Sequence, residues 1–117
     1  MTSRCTTAWR TAGCSIEDWS RDEQRLYNFE HAVGRVAAAA EAARSTGAPF
    51  QLTARAENLL RGVDNLDDTN RRLQAYAEAG ALVLYAPGIR LLNDLKTVTA
   101  ELNLPFNVLA SFFPAQP

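Results

Sequence analysis

The stretch Phe50-Gln51-Leu52-Thr53-Ala54-Arg55 alternates apolar and polar side chains, which is typical of a half-buried β-strand. Three helical patterns and three further strand-like runs surround it. The helical patterns lie near residues 28–45, 65–79 and 89–102, and the strand-like runs lie near 14–18, 81–86 and 106–110. Strands that alternate with helices in this way are typical of a parallel sheet built from βα units.

The spacing of these units favours a barrel. The strands begin roughly 30 residues apart, as in a (β/α)8 barrel of about 250 residues. We therefore predict an α/β fold, a partial TIM-type (β/α)8 barrel with about four parallel strands and three to four helices. A doubly wound open sheet uses the same unit, but its phosphate-binding G-x-G-x-x-G loop is missing from this sequence.

The composition is that of one globular domain. The chain has 117 residues, of which 47% are hydrophobic and 21% charged, and its formal net charge is −1. Because 12 basic and 13 acidic residues are interspersed, nucleic acid and anionic membranes are disfavoured as partners. The sequence shows no secretory signal or membrane span, and Cys5 and Cys14 lack metal-binding spacing. We therefore expect free thiols and a cytoplasmic location.

Polar side chains recur on one face of the predicted strands. Because side chains alternate along a strand, these positions share the face opposite the helices. We expect five side chains to converge on one mouth of the barrel: Glu17, Asp18, Arg55, Tyr85 and Asn107. Barrel active sites lie at the carboxyl ends of the strands. Two interpretations remain open, since Glu17 and Arg55 could simply pair with each other or could belong to a functional site.

Two motifs resemble those of one family of barrel enzymes. Gly13-Cys14-Ser15-Ile16-Glu17-Asp18 resembles the G-x-x-I-E-D strand of the isocitrate lyase/phosphoenolpyruvate mutase family, and Leu52-Thr53-Ala54-Arg55-Ala56-Glu57 resembles that family's next strand. Further similarity lies at 66–69, 72–76, 79–88 and 104–110. The order of the motifs indicates a fragment from the central portion of such a barrel. It would span residues 1–110, and residues 111–117 would form a tail that resembles nothing in the family.

The resemblance implies a Mg2+-dependent lyase or mutase that acts on C–C or P–C bonds of small carboxylates through an enolate-type intermediate. By position, Glu17 matches the family carboxylate at the metal, and Arg55 matches the arginine that binds the substrate carboxylate. These two residues are the catalytic candidates, and Asn107 is a second candidate for substrate binding. Mg2+ and a guanidinium group both stabilise negative charge on oxygen. Full-length relatives are expected to be homo-oligomers.

The chain also departs from the family pattern. Family members take metal-binding aspartates from earlier strands that this sequence does not contain. Residues 19–25 replace the K-[KR]-C-G-H loop of the lyases, and Pro87 stands where many members have a glutamate. The alternative to an active enzyme fragment is therefore a catalytically inactive truncated remnant. A small α/β binding module of another fold is a third hypothesis, which the ordered motifs disfavour.

Overall fold

The computed structural model describes residues 12–108 and contains, within that range, six strands and three helices. In chain order they are β1 (Gly13–Glu17), β2 (Trp19–Ser20), β3 (Arg25–Leu26), α1 (Phe29–Ser45), β4 (Gln51–Arg55), α2 (Leu66–Ala79), β5 (Val83–Tyr85), α3 (Leu92–Thr99) and β6 (Phe106–Asn107).

Four of the strands form one parallel sheet in the order β1-β4-β5-β6, and β2 and β3 form a separate antiparallel pair. Within the sheet every strand lies beside the next strand along the chain, and a helix separates β1 from β4, β4 from β5 and β5 from β6. This arrangement confirms the predicted α/β class and the four parallel strands. It is the strand order of consecutive barrel units.

Local signals in the sequence explain where the two longer helices begin and end. The side chain of Asn28 accepts a hydrogen bond from the backbone N–H of His31 at the start of α1, and Asn65 accepts one from Asp68 at the start of α2. Asparagine at these positions satisfies N–H groups that have no partner inside the helix. Gly80 ends α2 in the left-handed conformation, at φ 117°.

The core lies on one face of the sheet. Ile16, Leu52, Ala54 and Leu84 project from the strands and are buried together with the inner faces of the helices. The buried helical residues include Val36, Ala39 and Ala40 of α1, Leu73 and Tyr76 of α2 and Val98 of α3. The opposite face, which corresponds to a barrel interior, carries half-buried or exposed side chains at Ser15, Gln51, Thr53 and Val83.

The structure corrects three sequence predictions. Helix α3 covers only Leu92–Thr99 rather than about residues 89–102, and Leu91 precedes it with an extended backbone and is 63% exposed. The β2–β3 hairpin was not predicted, because residues 19–26 show no clear strand periodicity. Cys14 is disulfide-bonded rather than a free thiol, and Cys5 lies outside the described residues. Residues 111–117 also lie outside that range, so the domain boundary at residue 110 stays a prediction.

No helix among residues 12–108 is long and apolar enough to span a membrane.

Candidate active site

Four polar or aromatic side chains form a row across the carboxyl ends of the strands. Glu17 of β1 pairs in register with Arg55 of β4, Arg55 with Tyr85 of β5, and Tyr85 with Asn107 of β6. Their neighbours on the strands face the helical core, so the row lies on the open face. The structure thus brings the three predicted site residues, Glu17, Arg55 and Asn107, to one edge of the sheet. Their chemical roles stay predictions.

Glu17 and Arg55 are close but are not hydrogen-bonded to each other. Arg55 Nη1 lies 3.9 Å from Glu17 Oε2, while Arg21 Nε lies 3.3 Å from Glu17 Oε1. Arg55 also lies over the Tyr85 ring, with its guanidinium carbon 5.2 Å from the ring centroid. The interpretation that Glu17 and Arg55 merely pair with each other therefore does not account for the contacts of Arg55.

The main partner of Arg55 is Glu57, which ends the second strand motif and was not among the predicted site residues. Arg55 donates from Nε to Glu57 Oε2 (3.0 Å), and its Nη2 forms an ion pair with the same oxygen (2.8 Å). Glu57 is 0% exposed, and burial raises the pKa of its carboxyl although Arg55 opposes the shift. The sequence places Glu57 two residues after Arg55, which suggests that the two side chains are near each other. This spacing does not predict that Glu57 is buried or that it pairs with Arg55.

The charged groups at the mouth carry a net positive formal charge. They comprise the guanidinium groups of Arg21, Arg55 and Arg61 and the carboxyl groups of Glu17 and Glu57, so positive groups exceed negative ones by three to two. Arg61 Nε lies 3.4 Å from Glu57 Oε1, and its guanidinium carbon lies 4.8 Å from the centroid of the Trp19 ring. Such a cluster attracts small anions.

A cavity of about 130 Å³ opens beside Glu17. The β2–β3 hairpin and α1 form its walls, which include Trp19, Tyr27 and Arg35. Arg35 donates to the backbone carbonyl of Glu17 (2.6 Å) and lies over the Tyr27 ring. The unpredicted hairpin thereby builds a wall next to the end of β1, in the place of the lyase loop that this sequence lacks.

Asp18 does not join the mouth, which corrects our expectation. It follows Glu17 directly, so its side chain projects to the opposite face, where it is 3% exposed. It accepts hydrogen bonds from the backbone N–H of Glu57 (2.8 Å), from Arg72 (3.1 Å) and from the Tyr76 hydroxyl. Asp18 therefore fixes the ends of β1 and β4 to α2.

Arg72 of α2 is 5% exposed and belongs to the same buried network as Asp18. In addition to Asp18, it donates to Asp68 (3.0 Å) and to the backbone carbonyl of Tyr27 (2.8 Å). Burial and the neighbouring carboxylate raise the pKa of Tyr76, so its phenol stays protonated and donates to Asp18. This network is structural, because its groups are enclosed beneath the sheet.

The described residues do not form a magnesium centre by themselves. Among residues 12–108, no group of three His, Cys, Asp or Glu side chains is placed to hold a metal. Both carboxyl oxygens of Glu17 are directed at guanidinium groups, whereas Mg2+ requires six oxygen ligands in near-octahedral geometry. Glu17 would supply at most one of those ligands.

A parallel sheet with covering helices on one face, and charged side chains gathered at the carboxyl ends of its strands, defines this chain as a portion of a (β/α)8-barrel protein. The family model for phosphoenolpyruvate phosphomutase matches residues 3–117, so the chain belongs to this family. The resemblance inferred from the two strand motifs is thereby confirmed, and a binding module of another fold is set aside.

Solved structures support the same assignment. A protein from Burkholderia cenocepacia J2315 assigned as a lyase/mutase is 48% identical, with a TM-score of 0.77 over 81% of this chain and 34% of its own length. A protein from the same organism assigned as a phosphonomutase is 32% identical, with a TM-score of 0.73 over 81% of this chain and 40% of its own. A phosphonopyruvate hydrolase in complex with oxalate and Mg2+ is 26% identical, with a TM-score of 0.71 over 88% and 37%.

The chain spans between a third and two fifths of the length of these three relatives. No protein of curated function matches its sequence.

Proposed function

We propose that this chain supplies the substrate-binding side of a lyase- or mutase-type active site that acts on C–C or P–C bonds of small carboxylates through an enolate-type intermediate. The observation that carries the proposal is the geometry of Arg55. Two of its nitrogens are held by Glu57, and Nη1 lies on the open face with no hydrogen-bond partner among the described residues.

The chemistry of the row suits such a substrate. A planar guanidinium binds a carboxylate through two parallel hydrogen bonds and stabilises the charge that develops on an enolate oxygen. The carboxamide of Asn107, which is exposed in the same row, is a second donor for a substrate oxygen. Glu17 faces the same space and is the candidate for handling a proton or for contributing one ligand to a metal.

The proposal includes no step through Mg2+, because residues 12–108 do not complete a metal site. The structure of the phosphonopyruvate hydrolase contains both oxalate and Mg2+. Oxalate is therefore a suitable probe for an anion site at Arg55, and it can be tested with and without the metal.

Isothermal titration of the purified chain with oxalate, in EDTA and then in Mg2+, tests the proposal. We expect Arg55→Lys to weaken oxalate binding by roughly tenfold or more, because lysine keeps the charge but loses the planar fork. Arg71→Lys is the matched control, since Arg71 belongs to α2, where its guanidinium lies over the Phe29 ring, and not to the row of strand residues. Equal binding by the wild-type chain and Arg55→Lys, or no binding by the wild-type chain, contradicts the proposal.

The alternative proposal is a catalytically inactive remnant. It is favoured by the open inner face of the sheet, where Ser15, Gln51 and Asn107 are exposed, and by the absence of a three-ligand metal group among residues 12–108. A remnant would bind no oxalate in either buffer and would unfold without a cooperative thermal transition. A cooperative transition together with oxalate binding rejects it.

A further inference from the structure

The carboxylate of Glu57 is buried, although it lies at the edge of a charged cluster. Its side chain is 0% exposed, and its backbone N–H donates to Asp18 Oδ1 (2.8 Å). The preceding residue, Ala56, donates its N–H to the backbone carbonyl of Tyr85 (2.9 Å). Glu57 is therefore held on a rigid extension of β4, and its carboxylate cannot contact a substrate directly.

Glu57 determines the orientation of the Arg55 guanidinium. Its Oε2 accepts a hydrogen bond from Nε of Arg55 and forms an ion pair with Nη2 at 2.8 Å, and the Tyr85 ring lies against the guanidinium on another side. With these contacts made, Nη1 is the nitrogen directed toward Glu17 on the open face. Because the fork of arginine is planar, fixing Nε and Nη2 also fixes the direction in which Nη1 donates.

The other oxygen of Glu57 lacks a hydrogen bond. Oε1 is buried and has no hydrogen-bond partner among the described residues, and its nearest cation is Arg61, with Nε at 3.4 Å. A carboxylate oxygen that is buried without a hydrogen bond costs folding free energy, because its lost hydration is not replaced. Stability of the fold therefore does not account for Glu57, whereas orientation of Arg55 does.

We propose that Glu57 is a positioning residue, which acts through Arg55 by directing Nη1 toward the anion that binds at the mouth. The role rests on the proposed function for its ligand, a small carboxylate. It adds a residue to the site that the strand pattern alone does not identify.

The direction in which Glu57→Gln changes the affinity for an anion distinguishes a positioning role from a simple effect of charge. Glu57→Gln removes a negative charge next to the anion site, so Coulomb attraction alone makes the variant bind an anion as tightly as the wild-type chain or more tightly. A positioning role has the opposite consequence. We expect oxalate to bind Glu57→Gln ~10-fold more weakly, since a neutral amide holds the guanidinium less firmly than a carboxylate does.

The matched control is Glu41→Gln, which removes the same charge from an exposed position on α1. We expect its affinity for oxalate to stay within about twofold of the wild-type value because the site lies beyond the reach of screened surface charges. Circular dichroism and thermal unfolding of both variants establish that the fold is intact. Oxalate binding by Glu57→Gln that equals or exceeds wild-type binding overturns the proposal.

A second measurement needs no ligand. The Nε–Hε signal of Arg55 in a nitrogen–proton NMR spectrum is identified by its loss in Arg55→Lys. In the wild-type chain we expect this proton to exchange slowly and to resonate downfield, because it is hydrogen-bonded to a carboxylate. In Glu57→Gln the signal should move toward those of exposed arginines. If the wild-type chain binds no oxalate, the proposed function fails, and an unchanged Arg55 signal in Glu57→Gln separately overturns the positioning role.

Discussion

At the scale of single residues, the adjacent carboxylates of Glu17 and Asp18 lie on opposite faces of the sheet and have different surroundings. Glu17 lies on the open face beside the exposed Arg21 and the half-buried Arg55, and Asp18 lies beneath the sheet with Arg72 and Tyr76. The difference follows from the alternation of side chains along β1. One carboxylate is therefore available for chemistry, and the other stabilises the scaffold that carries it.

We predict that Asp18→Asn destabilises the chain by about 3–5 kcal/mol, the usual cost of removing one partner of a buried ion pair, since Arg72 then keeps only Asp68, whose side chain is 23% exposed. Denaturation by urea measures the change. Glu17→Gln is the control in the adjacent position, and its loss of partly exposed ion pairs should cost only about 0–1 kcal/mol. Similar losses in the two variants would contradict the distinction between the two carboxylates.

The raised pKa of Glu57 predicts a pH dependence of stability. Burial raises this pKa above its ordinary value of 4.5, so the folded chain holds the proton more tightly than the unfolded chain does. The contribution of Glu57 to stability is therefore present at low pH and is lost as the pH rises from the unfolded pKa through the folded pKa.

Glu57→Gln removes this titration. Its unfolding free energy relative to the wild-type chain should consequently increase as the pH rises above the ordinary carboxyl pKa of 4.5. Urea unfolding of both proteins at a series of pH values measures the difference. If the unfolding free energy of Glu57→Gln relative to the wild-type chain instead decreases with rising pH, the attraction of Arg55 and Arg61 lowers the pKa of Glu57 more than burial raises it.

At the scale of secondary structure elements, the end of α2 packs closely on α1. Gly80 has φ 117°, and a Cβ added there would lie 2.7 Å from the Cβ of Ala40. The sequence predicted that glycine ends this helix and that the alanines of α1 favour close packing. It did not predict that these two features contact each other, because that contact depends on how both helices cross the sheet.

We predict that Gly80→Ala destabilises the chain by more than about 1 kcal/mol, since both the backbone angle and the contact with Ala40 oppose a Cβ. Gly34→Ala is the control, because Gly34 lies within α1 and a Cβ there meets no atom within 4 Å. Alanine should stabilise that position by roughly 0.5–1 kcal/mol. Thermal unfolding of both variants measures the two effects, and a shift of the same sign in both would contradict the prediction.

At the scale of the whole molecule, the sheet has one covered and one open face. Within residues 12–108, β1 and β6 each pair on one side only, and the open face carries Val83 between polar neighbours. Unpaired strand edges promote association between chains.

We therefore predict that the purified 117-residue chain self-associates as its concentration rises, which light scattering after gel filtration measures. Val83→Lys should reduce the association constant by about tenfold or more, because burying an unpaired ammonium group costs at least ~1.4 kcal/mol. Leu92→Lys, on the exposed start of α3, should leave it unchanged. A chain that stays monomeric at all concentrations would refute this expectation.

The sequence by itself determined the family and the order of the βα units. Apolar periodicity, the asparagine caps and the glycine stop are local signals, so β1, β4, α1 and α2 were predicted close to their observed ends. The alternation of side chains likewise placed Glu17, Arg55 and Asn107 on one face, where the structure aligns them in a single row.

Only the tertiary structure decided which charged groups contact each other. Glu57 and Arg72 are charged residues at positions that are solvent-exposed in most sequences, and both are buried here. Their burial depends on partners distant in the chain, since Arg72 donates to Asp18 and to the backbone carbonyl of Tyr27, and the backbone N–H of Glu57 donates to Asp18. Long-range pairing of this kind leaves no local periodicity, and it places Arg55 at the mouth with Nη1 directed at the open face.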